Sequence, residues 1–150
     1  MGSLTVSPAR NRCGLYAEFL SGRGVDQNVL IAHFRRLRRT LRNPLVVVLD
    51  NLNLHKGKLL RRWCERVGDV HLEYLPPYAP DLNPVEAVWG HGKCVTAAGR
   101  LVDDAEQLEQ LAREAIGAAN EQQLLFGFIR STGLPIQFRL DSRKSQSNSQ

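Results

Sequence analysis

Leu45-Val-Val-Val-Leu-Asp50 is the stretch that decides the fold. An unbroken, β-branched apolar run this short predicts a central strand covered on both faces, of the kind parallel sheets use. Asn43-Pro44 just before it ends a helix. That helix runs from Asp26, a good N-cap, to about Leu41, with Leu30, Phe34, Leu37 and Leu41 on one apolar stripe. After the strand, the pattern predicts a helix over about Lys58–Val67, burying Leu59 or Leu60, Trp63 and Val67. A second strand, Val70–Leu75, is stopped by Pro76-Pro77. Working upstream, Ser3–Ser7 and Cys13–Leu20 read as two strands joined by a turn containing Pro8. Downstream, Asn83 caps a helix that begins at Pro84. Asp103 and Glu106 form a capping box for a helix through Leu108, Leu111, Ala115 and Ala119. A last short helix carries Leu124, Leu125 and Phe128. The order predicts an α/β fold with at least two parallel strands.

The composition sets bounds around this core. The chain has 150 residues, 43% hydrophobic and 23% charged, enough for one globular unit with a real core. Lys plus Arg number 20 against 15 Asp plus Glu, a net charge of +5 that favours polyanionic partners. The excess is concentrated: Arg35, Arg36, Arg38, Arg39, Arg42, Lys56, Lys58, Arg61, Arg62 and Arg66 face only Asp50 and Glu65 in the same span. Three cysteines without CxxC spacing argue against a disulfide framework and for a reducing compartment. No apolar run approaches the ~18–20 residues of a membrane span, and MGSLTVSP lacks the apolar region of a signal peptide. Residues 140–150 are rich in Ser, Gln, Lys and Arg and read as a disordered tail.

Two carboxylates stand out. Asp50 ends the apolar strand, at the edge where open α/β sheets place their sites. An Asp there also serves as a cap for the next helix. The second is Glu86, in the first turn of a helix preceded by Leu75-Pro-Pro-Tyr-Ala-Pro-Asp-Leu-Asn-Pro-Val85. A helix dipole alone accounts for a Glu at that place. It does not account for so many rigid residues fixing its position. Such a pair can converge at one sheet edge and hold hard cations such as Mg²⁺. Two such cations stabilise the attacking and leaving oxygens of a phosphodiester displacement. The nearby Lys and Arg would ease the approach of DNA.

These residues carry a family resemblance. Val46-Val-Val-Leu-Asp-Asn51 with His55-Lys56, then Leu75 through Trp89 and Lys93, resemble the signature of DDE transposases, in particular the mariner-related bacterial insertion-sequence group. The resemblance covers roughly residues 3–93 and is most specific over Leu75–Trp89. It implies an RNase H-like mixed sheet flanked by helices. Residues 3–99 would form a partial catalytic domain, 102–131 C-terminal helices and 140–150 the tail. Asp50 matches the second catalytic, metal-holding carboxylate and Glu86 the third. Asn51, His55, Asn83, Trp89 and Lys93 match motif positions around them. Asn51, His55, Lys56, Lys58 and Lys93 would then contact DNA. The family binds Mg²⁺ or Mn²⁺, cleaves transposon ends and joins the freed 3′-OH to target DNA, in the bacterial cytoplasm.

One departure matters. The family's first catalytic Asp lies on a strand before the segment resembling Leu4-Thr-Val-Ser-Pro8, and neither Glu18 nor Asp26 is a convincing substitute. In the RNase H-like order 3-2-1-4-5, that strand sits between the one resembling Ser3–Ser7 and the one ending at Asp50. The expectation is a fold truncated at its N-terminus, inactive alone, and marginal, aggregation-prone, or completed by an upstream transposase fragment or a second transposase subunit. The competing expectation is a non-catalytic remnant that binds DNA weakly or mixes with intact subunits. Among the remaining features, the Arg35–Arg39 run reads as a solvated face before a DNA contact. Cys64, His71, His91 and Cys94 have no common zinc-site spacing, and Trp89 reads as core.

Overall fold

The computed structural model describes residues 1–20, 24–96 and 105–136. Its first two strands, β1 (Gly2–Ser7) and β2 (Arg12–Ala17), form an antiparallel pair with Leu4 opposite Leu15 and Val6 opposite Cys13. A short 3₁₀ turn, Pro8–Arg10, joins them, and Asn11 takes the left-handed conformation (φ 52°) that ends it. The second strand stops at Ala17, short of the expected Leu20. Helix α1 (Gln27–Leu41) starts where the sequence predicts, with Asp26 Oδ1 accepting from Val29 N at 2.8 Å. Strand β3 (Leu45–Leu49), helix α2 (Lys58–Val67) and strand β4 (Val70–Tyr74) make a βαβ unit whose strands are parallel, Leu45 opposite Val70 and Leu49 opposite Tyr74. Helices α3 (Pro84–Thr96), α4 (Ala105–Ala119) and α5 (Gln122–Ser131) come after it. No helix of the described residues is long and apolar enough to cross a membrane.

Two cores hold these elements. The first gathers Leu30, Ile31, Phe34 and Leu37 of α1, Leu60, Trp63 and Cys64 of α2, Leu49 of β3 and Val70 of β4. Full burial of a side chain such as Phe34 or Leu60 contributes about 1.5–3 kcal/mol, so this cluster fixes the helices to one face of the parallel pair. The second gathers Cys13 and Leu15 of β2, Val88 of α3, Ala119, and Leu125 and Ile129 of α5. Of the two leucines expected in α2, Leu60 is sealed and Leu59 exposed; burial in α5 differs from the sequence expectation, since Ile129 takes the core place beside Leu125, with Phe128 half-buried.

The antiparallel and parallel pairs are separate two-stranded sheets. The first is tied to α1 through a polar chain: Ser3 Oγ lies 2.7 Å from His33 Nε2, and Glu18 Oε1 lies 2.9 Å from His33 Nδ1 and 3.2 Å from Arg36 Nη1. Met1 and Tyr16 pack against the first core from the same side. The outer edge of β2 is covered by Gln122, whose amide accepts from Cys13 N (2.9 Å) and donates to Cys13 O (2.6 Å). Among the described residues, β1 and β3 each have only one ladder partner.

One expectation needs correction. The Leu45–Leu49 run is not covered on both faces. Leu45, Val47 and Leu49 turn to the first core, whereas Val46 and Val48 are 68% and 53% exposed, beside exposed His71 and Glu73 on β4. A β-branched apolar run specifies a strand, but it does not by itself supply a second layer. The capping-box Asp103 and the 140–150 tail lie outside the described residues, as do residues 97–99 and 102–104 of the two expected segments.

Candidate active site

Asp50 comes directly after the last residue of β3, where the ladder closes with Leu75 N donating to Leu49 O at 2.8 Å. Its side chain is 39% exposed. A 3₁₀ turn, Asn53–Lys56, folds the chain back so that His55 meets it. Asp50 Oδ1 accepts from Leu52 N at 3.1 Å and lies 2.6 Å from His55 Nδ1, which is also 3.3 Å from the Asp50 carbonyl. Both neighbours of Nδ1 are acceptors, so the hydrogen-bond network puts a proton on Nδ1. The turn is held in place from β4, whose Tyr74 hydroxyl donates to His55 O at 2.8 Å.

Asn51 connects this corner to the next. Its Nδ2 donates to Leu75 O, the last carbonyl before Pro76-Pro77. The chain then passes Tyr78, fully exposed and in the left-handed region at φ 58°, and a 3₁₀ turn over Pro80–Leu82. Left-handed backbone costs a residue with a Cβ about 1–2 kcal/mol, so the prolines and turn around Tyr78 hold it against a preference. Asn83 caps α3 as expected: its Oδ1 accepts from Val85 N at 3.2 Å and its carbonyl from Glu86 N at 3.0 Å. Glu86 stands exposed in the first turn of α3. Trp89 is half-buried on the same helix, against Gly2 of β1, where an added Cβ would collide with its ring.

The expected site residues therefore divide into groups. Asp50, Asn51 and His55 form one hydrogen-bonded corner, and Glu86 is placed by a separate, rigid segment. Asn51 Nδ2 and His55 Nδ1 are both engaged inside the protein. Lys56 and Lys58 are exposed, and the Lys93 side chain lies outside the described residues. The two acids upstream are both committed elsewhere: Glu18 to His33 and Arg36, Asp26 to the α1 cap, where the Val29 backbone amide holds its carboxyl below the usual range. Of the four residues of the zinc combination, the Cys94 side chain lies outside the described residues and the other three are dispersed. Cys64 is in the first core, His71 is exposed on β4, and His91 meets the Phe128 ring edge-on at 5.6 Å.

Among the described residues, no three His, Cys, Asp or Glu side chains gather as a metal cage. Asp50, with a side chain 39% exposed, and the exposed Glu86 nevertheless offer hard carboxylate oxygens. That donor set suits Mg²⁺ or Mn²⁺, which are commonly held by one or two carboxylates plus water and phosphate oxygens. Reading the sequence alone missed the His55–Asp50 clamp, the Ser3–His33–Glu18 chain and the Tyr78 backbone. The first had a signal, a His five residues after a strand-ending Asp; the other two depend on tertiary placement.

No curated protein matches the chain. In structure it is similar to the catalytic domain of the Mos1 mariner transposase, with a TM-score of 0.60, 20% identity, and coverage of 87% of this chain and 74% of that one. The same domain with raltegravir and Mn gives 0.61, 19%, 87% and 75%. With raltegravir and Mg it gives 0.58, 17%, 89% and 74%. This likeness establishes the α/β, RNase H-like fold. The family model described as DDE superfamily endonuclease matches residues 13–109, a span that contains Asp50, the Pro-rich segment and Glu86. The chain belongs to the DDE superfamily endonuclease family.

Proposed function

We propose that this chain is the main part of a transposase catalytic domain, cleaving and joining DNA strands with Mg²⁺ or Mn²⁺. Asp50 and Glu86 are the metal-holding, catalytic carboxylates, and DNA is the substrate, met where the cell keeps it, in the cytoplasm at the nucleoid. The observation that carries this reading is the corner at Asp50. A carboxylate at the carboxyl end of a parallel strand has one oxygen fixed by His55 and Leu52, on a side chain that is 39% exposed. The Mos1 domain structures described with Mn and with Mg support the cation. Bound there, divalent cations would stabilise the attacking and leaving oxygens of a phosphodiester displacement. Exposed Lys56 and Lys58 are suited to neighbouring phosphates.

Among the described residues, β1 and β3 each have one ladder edge without a partner, and this favours a second element of the reading. The RNase H-like order puts a strand between them, and an upstream transposase fragment or a second transposase subunit would supply that strand with the first Asp. The isolated chain is then inactive. Plasmid nicking tests both elements. With Mn²⁺, we expect no nicking by the chain alone. Nicking should appear on co-expression with a transposase fragment or subunit that carries the strand and its Asp, and disappear again with Asp50→Ala or Glu86→Ala. Nicking that survives both substitutions overturns the assignment of these residues. Nicking by the chain alone overturns the need for a supplied strand.

A further inference from the structure

We infer that His55 is a positioning residue: its Nδ1–H fixes the Asp50 carboxylate in the one rotamer that leaves Oδ2 free for a divalent cation. This rests on the reading of Asp50 as a metal-holding carboxylate and replaces the expectation that His55 touches DNA.

Four observations lead there. The ring is only 14% exposed, so it is held and cannot swing out to a ligand without leaving its packing. Its Nδ1 lies 2.6 Å from Asp50 Oδ1 and 3.3 Å from the carbonyl of the same residue. The backbone of His55 is itself tied down twice, by His55 N donating to Leu52 O at 2.9 Å and by the Tyr74 hydroxyl donating to His55 O at 2.8 Å. Leu52 N supplies the remaining bond to the same carboxylate oxygen, at 3.1 Å. Both donors thus converge on Oδ1, and neither reaches Oδ2. A strand-ending Asp with only the Leu52 contact would keep rotational freedom and lose it, at a cost in entropy, when a cation arrives. The imidazole removes that freedom beforehand, anchored through Tyr74 to the neighbouring strand. Partners of this kind orient a carboxylate without touching the metal, and losing one typically weakens metal binding by about 10–100-fold.

The atom involved makes the inference specific. The amide nitrogen of Asn can stand where Nδ1 does, whereas that of Gln falls nearer Nε2. Mn²⁺ binding to the full chain, monitored by the loss of the free-ion EPR signal, should weaken about 10–100-fold in His55→Ala. His55→Asn should restore it and His55→Gln should not. Asp50→Ala should lose it too. In a long-range ¹H–¹⁵N spectrum, the His55 ring should carry its proton on Nδ1 and relax towards the Nε2–H form in Asp50→Ala, a shift that needs no metal. Trp63 fluorescence confirms folding of each variant. If His55→Ala fails to fold, the Asn and Gln variants carry the comparison. Metal loss in Asp50→Ala with an unchanged His55→Ala, or a His55→Asn no better than Gln, overturns the role of His55 and leaves the Asp50 reading standing. A parent chain that takes up no Mn²⁺, or an unchanged Asp50→Ala, overturns the Asp50 reading itself.

Discussion

The open face of β3 makes a quantitative prediction about Val46 and Val48. Burying a valine fully is worth roughly 1.5–3 kcal/mol. At 68% and 53% exposed, they retain about a third and about half of that, and Thr exchanges only one of the two methyls for a hydroxyl, so Val46→Thr costs at most about 0.5–1 kcal/mol and Val48→Thr at most about 0.7–1.5 kcal/mol. Thr keeps the β-branched shape, so strand propensity is not what changes. Leu60, which has no exposed surface, is the control: Leu60→Ala should cost about 2–5 kcal/mol. Urea unfolding of the parent, these three variants and the double Val variant, read by circular dichroism over a hundredfold concentration range, measures all of this. The double Val variant should lose less than Leu60→Ala, with a midpoint independent of concentration. A double Val variant that loses as much as Leu60→Ala, or a concentration-dependent midpoint in the parent, would show the face covered in solution and refute the reasoning.

Gly68 ends α2 at φ 73°, and an added Cβ would meet nothing within 4 Å, so Gly68→Ala isolates the backbone cost: about 1 kcal/mol by denaturant midpoint, with unchanged spectra. The Arg38 guanidinium, 2.7 Å from Asp69, holds that carboxyl below its ordinary value of 3.8. The folded chain is favoured while that carboxyl is charged. The stability lost in Asp69→Asn should therefore be fully visible above the ordinary value and fade as pH falls through the lowered one, a difference read from paired acid titrations. A gap that persists at the acid end would contradict the sign. Burial pushes the Cys13 thiol up to about 11, so iodoacetamide at pH 8 should leave Cys13 unmodified in the native chain and label it in urea, as peptide mapping would show.

How much of this was legible beforehand depends on how local each signal is. The Asp26 cap, the Asn83 cap and the α2 boundaries arise from neighbours in sequence, and the structure reproduces them. The parallel pairing of Leu45–Leu49 with Val70–Tyr74 comes from a buried-strand, helix, strand order that leaves few alternatives. The exposed face of β3 was not legible, because an apolar residue records that it can be buried and not whether a layer exists to bury it. Nor was His33, which sits on the apolar stripe of α1 yet is only 2% exposed: its partners Ser3 and Glu18 are distant in the chain, and only the docking of β1 on α1 brings them together. The Asp50 corner lay between these cases. The acid could be picked out from its place at a strand end, but the partner that orients it required the turn over Asn53–Lys56.

The division of the molecule into two cores carries one more consequence. Asp50 belongs to the unit built from α1, α2, β3 and β4, while Glu86 rides on α3, which packs with β1, α4 and α5. The spacing of the two carboxylates is thus a property of neither unit. It is set by the seam, through α1 with its His33 strut and the Pro-rich span that Asn51 fastens at Leu75. Partial unfolding tends to proceed by such cooperative units. Denaturant too dilute to melt either core can therefore change the spacing of the carboxylates first, and the proposed metal site would be lost while the secondary structure still read as native.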